Sequence, residues 1–252
     1  MAKFKKPLLF ALCLLPIALV GGWLVGLYQM DLYGEAMLEE VIAQLGSREL
    51  LPVITAVQAA GYALFCGFFG YILAEKLGLW RPIRLQKRSL LVTLGISALG
   101  GALFSLDYWT FGSVIDGIQA AAADGMTPAG VGASLLYGGV MEELMLRLFF
   151  LSLLAFLIWK LFFRRFGREE IPQTVFVLAN ILAAVLFAAG HLPATVMTFG
   201  TVTPMLLFRC FLLNGGAALL FGWLYRKYGF VYAVISHMMF HIVSKLIWFV
   251  FV

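Results

Sequence analysis

Apolar residues run through this chain in seven long blocks, at about 7–28, 52–74, 89–111, 130–163, 173–194, 203–225 and 230–252. A hydrocarbon core about 30 Å thick needs roughly 20 apolar residues of helix to cross it, and every block reaches that length. The pattern predicts an all-α, polytopic transmembrane helical bundle of about seven to eight membrane helices. The eighth would come from the fourth block, which is long enough to be broken or to include a re-entrant segment. Its opening, MTPAGVGASLLYGGVME (126–142), is rich in glycine and small residues. Between Asp31 and Leu50 the polar and apolar positions fit an amphipathic helix lying on a membrane surface. No fixed-period repeat or low-complexity stretch divides the chain, so residues 1–252 read as a single integral membrane domain.

The polar segments between the blocks alternate in charge. Lys3, Lys5 and Lys6 are followed by Asp31, Glu35, Glu39 and Glu40, then by Lys76, Arg81, Arg84, Lys87 and Arg88. Asp107, Asp116 and Asp124 come next, then Lys160, Arg164, Arg165 and Arg168, a Thr-rich uncharged loop, and Arg226 with Lys227. Cytoplasmic loops are enriched in Lys and Arg, which puts the N-terminus in the cytoplasm. The lysine-rich start could open a signal peptide, but the run from Pro7 to Tyr28 is about long enough to span and shows no small-residue cleavage site. It reads as the first span.

Composition agrees: 63% of the residues are hydrophobic and 12% charged, against about 25% charged in an ordinary soluble domain. The net charge of +5 is distributed in loop clusters rather than along one helix face, so it reports topology and argues against a nucleic-acid partner. Cys13, Cys66 and Cys210 lie singly in apolar runs, which indicates neither a disulfide framework nor a CxxC metal site. Gly22 and Gly26 have the spacing that lets two helix backbones approach closely.

Ionisable residues inside the spans carry the functional information, because each is expensive in hydrocarbon. The stretch YGGVMEELMLR (137–147) holds three. On an α-helix Glu143 and Arg147 share a face and can pair, whereas Glu142 points about 100° away. One carboxylate is therefore paired and the other is free to take a proton from water, which makes Glu142 the candidate general base. The other reading of the same residues is a structural charge network with Arg147. The chain's three histidines all lie at or inside spans. His191 follows Phe187 by four residues where Pro193 signals a helix end. His237 and His241 are one turn apart on one face.

This ordered set, Glu142, Glu143 and Arg147, then Phe187 and His191, then His237 and His241, resembles the EExxxR, FxxxH and HxxxN/D motifs of the CPBP family. That family, also called Abi, is named for CAAX proteases and bacteriocin processing. The resemblance covers about residues 130–245, and YRKYGFVYAVISH, with Tyr225 and Gly229, looks like the family's turn into its last motif. It implies a membrane-embedded glutamate-type endopeptidase, similar to type II CAAX prenyl endopeptidases. Glu142 and His191 would activate water, and His237 and His241 would hold the oxyanion. Glu143, Arg147 and Phe187 would support the site. No cofactor is implied; the substrate would be a prenylated protein or a pheromone- or bacteriocin-like peptide, met in the lipid bilayer. Short loops without a soluble domain point to a prokaryotic cell membrane. Substrate identity, the side of entry and the oligomeric state are not set by the resemblance.

His241 departs from the family's Asn or Asp. An imidazole donates a hydrogen bond but also ligates metal, so Glu142, His191, His237 and His241 are open to a second reading as a zinc-peptidase site. The HExxH signature of zinc proteases is absent. A transporter is the rival from another class, with buried Glu and His relaying protons and Arg209 either holding an anionic substrate or snorkelling to the interface. A silent scaffold for a partner membrane protein is a third possibility. The enzyme reading carries a geometric demand: the span limits put Glu142 and His191 toward the outer side and His237 about 10 Å in from the inner side, and all must converge.

Overall fold

The computed structural model describes residues 2–33 and 35–252, with the side chains of Ala2, Lys3 and Ala36 outside the described set. The charge of Lys3, counted above, therefore has no described position. Seven helical segments are long and apolar enough to cross a membrane. They are α1 (Phe4–Leu32), α3 (Leu50–Leu77), α4 (Lys87–Ser113), α6 (Pro128–Phe162), α7 (Gln173–Phe199), α8 (Pro204–Tyr228) and α9 (Phe230–Phe251). Two shorter helices, α2 (Glu35–Leu45) and α5 (Ile118–Asp124), lie between them. No strand occurs among the described residues, as hydrocarbon demands of any chain that must satisfy its backbone internally without closing a barrel.

The fourth segment is continuous, which settles the alternative between seven and eight spans at seven among the described residues. Instead of dividing, α6 widens: from Ser134 to Glu142 and again from Leu144 to Leu151 its backbone winds in i→i+5 turns. Wide turns of this kind are rare and concentrate at functional sites. α6 is also the centre of the bundle. Met141, Leu144 and Leu148 are fully enclosed, and α1, α3, α7, α8 and α9 all pack on it. Large apolar side chains such as Leu99, Leu161 and Phe249 face outward, which a helix in lipid tolerates at no cost.

Close approach and buried hydroxyls join the helices, since lipid tails leave little hydrophobic drive between them. α1 and α3 meet at the predicted glycine pair: a Cβ at Gly22 would stand 2.7 Å from that of Ala59, and one at Gly26 would stand 2.5 Å from Thr55 Oγ1. Ser97 on α4 and Ser236 on α9 share a hydrogen bond of 2.7 Å. Ser152 on α6 and Tyr225 on α8 share one of 2.8 Å, which gives the sequence-marked tyrosine a structural task. The three cysteines are unpaired; Cys66 and Cys210 are buried, whereas Cys13 lies on the outer face of α1 rather than inside.

Candidate active site

The widened part of α6 brings Glu142 and Glu143 into different surroundings. Glu143 is completely buried, and its Oε1 lies 3.0 Å from Arg147 Nη1, the predicted i,i+4 pair. The same oxygen accepts a hydrogen bond of 2.8 Å from His237 Nδ1 on α9. Arg147 is 2% exposed. Its guanidinium lies over two aromatic faces, 4.7 Å from the Phe187 ring centre and 5.3 Å from that of Phe221. These faces stabilise a desolvated cation, and the carboxylate compensates its charge. Phe187 thus packs against His191, at 4.6 Å between ring centres, and also carries the arginine, a role the motif spacing did not disclose.

Glu142 has no such partner. Its side chain is 21% exposed and stands on the wall of a cavity of about 740 Å³. His237 Nε2 is its nearest basic atom, at 4.0 Å. The division of the acidic dyad into one sealed and one open carboxylate is therefore present in three dimensions.

The three histidines line the same cavity as Glu142. His191 sits where the first helix of α7, Gln173–Gly190, ends as Pro193 predicted; a short helix, Leu192–Phe199, then continues the segment. Its Nδ1 is 2.8 Å from the carbonyl oxygen of Phe187. A carbonyl only accepts, so Nδ1 carries the proton and the neutral ring presents its Nε2 lone pair. The same logic applies to His237: with Nδ1–H donated to Glu143, donation from Nε2 requires a ring carrying both protons. His237 is clamped between Phe221, at 4.5 Å and 20° between ring planes, and His241, at 5.0 Å and 25°. Both histidine Nε2 atoms look across at α6, where Gly138 leaves room. A Cβ there would stand 3.1 Å from His241 Nε2 and 3.8 Å from His237 Nε2.

Two further charged groups stand in the cavity wall: Arg209, whose partner was not anticipated, and Lys245, which was not singled out. Arg209 makes a two-point ion pair with Asp107, one arm being Nε to Oδ1 at 2.7 Å. Its charge is thus neutralised within the protein, by a residue 102 positions away that the sequence placed in an outer acidic loop. Lys245, one turn beyond His241, is also buried in this wall and donates to the Gly125 carbonyl. A further scan of the sequence for cations inside apolar runs would have found it. As for the zinc reading, no three His, Cys, Asp or Glu side chains converge at ligand spacing among the described residues, and His237 Nδ1 is already held by Glu143.

Comparison with known proteins agrees with this geometry. The family model described as type II CAAX prenyl endopeptidase Rce1-like matches residues 125–243. Searches of curated proteins and of solved structures each returned no match. The matched residues contain the carboxylate pair, its arginine and all three histidines; over this stretch the chain is similar to the Rce1-like type II CAAX prenyl endopeptidases.

Proposed function

We propose that the protein is an intramembrane endopeptidase of glutamate type that hydrolyses a peptide bond in a lipidated or membrane-associated peptide. The observation that carries this reading is the unpaired Glu142 on the cavity wall, beside a Glu143 already engaged by Arg147 and His237. A water between Glu142 and the His191 Nε2 lone pair gives its proton to Glu142. Its oxygen forms a bond to the scissile carbonyl carbon, and His241 donates to the resulting oxyanion, joined by His237 when that ring carries both protons. Collapse breaks the C–N bond, and the proton held by Glu142 passes to the leaving amine. Donors preorganised in a dry site are worth about 3 kcal/mol of barrier, and a positioned base contributes about 10²–10⁴-fold.

Purified wild type, Glu142→Ala and His191→Ala proteins, each offered a farnesyl-cysteine peptide and an unprenylated apolar peptide, test the mechanism. Cleavage by wild type alone is the expected result. Activity that survives either substitution would remove that residue from the mechanism, and proton-coupled peptide uptake into liposomes without cleavage would replace the enzyme with a transporter.

Access follows from charge. The cavity is lined by the ends of helices that carry Leu32, Asp107 and Phe199, and by none of the basic loop residues at the opposite end of the bundle. With those basic loops in the cytoplasm, the substrate enters from the extracytoplasmic side. A single cysteine at Thr198, with native thiols replaced, then reacts with an impermeant maleimide in intact cells; labelling only after lysis reverses the orientation.

A further inference from the structure

Among the ionisable groups that line the cavity, Asp107 and Arg209 neutralise one another, and Glu142 is assigned to water. Lys245 is left over. It is 9% exposed and has no carboxylate within ion-pair distance among the described residues; its contact is the neutral carbonyl of Gly125. Placing a long cation in the interior without an acid is costly, and the one backbone dipole does not offset its charge. The position is built all the same: Trp248 on the same helix donates to the Ser105 carbonyl at 2.9 Å and fixes this part of α9 against α4.

We infer that Lys245 is a specificity residue that binds the C-terminal carboxylate of the peptide substrate. This rests on the endopeptidase reading above and deepens it. His237, His241 and Lys245 follow one another at single turns on one face of α9, which sets Lys245 about 6 Å along the axis beyond the second histidine. Extended peptide advances about 3.3 Å per residue, so a chain whose carbonyl is attacked at Glu142 brings its end to Lys245 within a few residues. The missing countercharge is then supplied by the substrate, in a charge-assisted hydrogen bond that a buried site strengthens. The enzyme counts back from a free end, and internal loops of long proteins lack the group it needs.

The test uses one farnesyl-cysteine peptide extended by three apolar residues, made with a free C-terminal acid and with a C-terminal amide. It is offered to wild type, Lys245→Met and Lys245→Arg in nanodiscs. Wild type is expected to favour the acid by about ten-fold or more in kcat/KM, the size of one hydrogen bond to a charged group. Lys245→Met brings the acid-to-amide ratio to about one, and Lys245→Arg keeps a preference. Equal cleavage of acid and amide by wild type, or an unchanged ratio in Lys245→Met, overturns the assignment and leaves the endopeptidase reading intact. Should wild type cleave neither peptide, the endopeptidase reading falls, and binding of the same dansyl-labelled pair decides about the lysine. Tighter binding of the acid that Lys245→Met abolishes supports it; equal binding overturns it.

Discussion

The sealed region around Glu143 and the open wall around Glu142 differ in everything but residue type. Glu143 meets an arginine held over two rings and a histidine from another helix. Glu142 meets space. On the proposed mechanism, two adjacent carboxylates divide between them the work of holding the bundle together and the work of reacting. The same contrast recurs among the cations, where Arg147 is locked in a local pair, Arg209 in a remote one, and Lys245, among the described residues, in none. A charge inside this bundle is interpretable only once its partner, or the lack of one, is known.

Substitutions at the two ends of that contrast should have opposite signatures. Glu142→Gln is expected to lower kcat by about 10²–10⁴-fold while moving the thermal midpoint in detergent little, because its side chain stands on the cavity wall with its nearest basic atom 4.0 Å away. A large drop in the midpoint would place Glu142 in the scaffold instead. Arg147→Met should do the reverse: by leaving Glu143 buried without its cation it costs about 3–5 kcal/mol, read as a lower midpoint and poor recovery from the membrane. Gly138→Ala crowds the two histidine Nε2 atoms at 3.1 and 3.8 Å. A displacement of this kind near reacting groups costs up to about 10²-fold in rate, with the thermal midpoint moving little. The smallest effect is expected from Phe221→Leu, which removes one of the two faces under Arg147 and the ring stacked on His237. About 1 kcal/mol of stability is at stake there; a loss as large as that of Arg147→Met would mean that the ring, and not Glu143, is the main support of the cation.

The seven spans were legible because apolar run length is a one-dimensional property, and each predicted block lies within a few residues of a segment in the structure. The local ion pair was legible for a similar reason, since four residues along a helix suffice to bring Glu143 to Arg147. Other contacts depend on which helices become neighbours. His237 lies 94 positions from Glu143, and Asp107 lies 102 from Arg209; no periodicity encodes those distances. Phe221 was hidden for a different reason, because one aromatic among many in an apolar run carries no mark of the cation it will cover. The widened turns of α6 escaped because apolar residues on every side leave no face from which a period could be read.

Those widened turns have a consequence for how the protein tolerates change. Each residue of an ordinary helix advances the next by about 100°, so the heading of Glu142, Glu143 and Arg147 is set by how many residues the stretch from Ser134 takes up before them. The charged cluster behaves like the hand of a clock geared to residue count. Side chains facing lipid on α6 are exchangeable for others of similar kind, but gaining or losing a single residue upstream turns the carboxylate off the cavity and the arginine off its rings together.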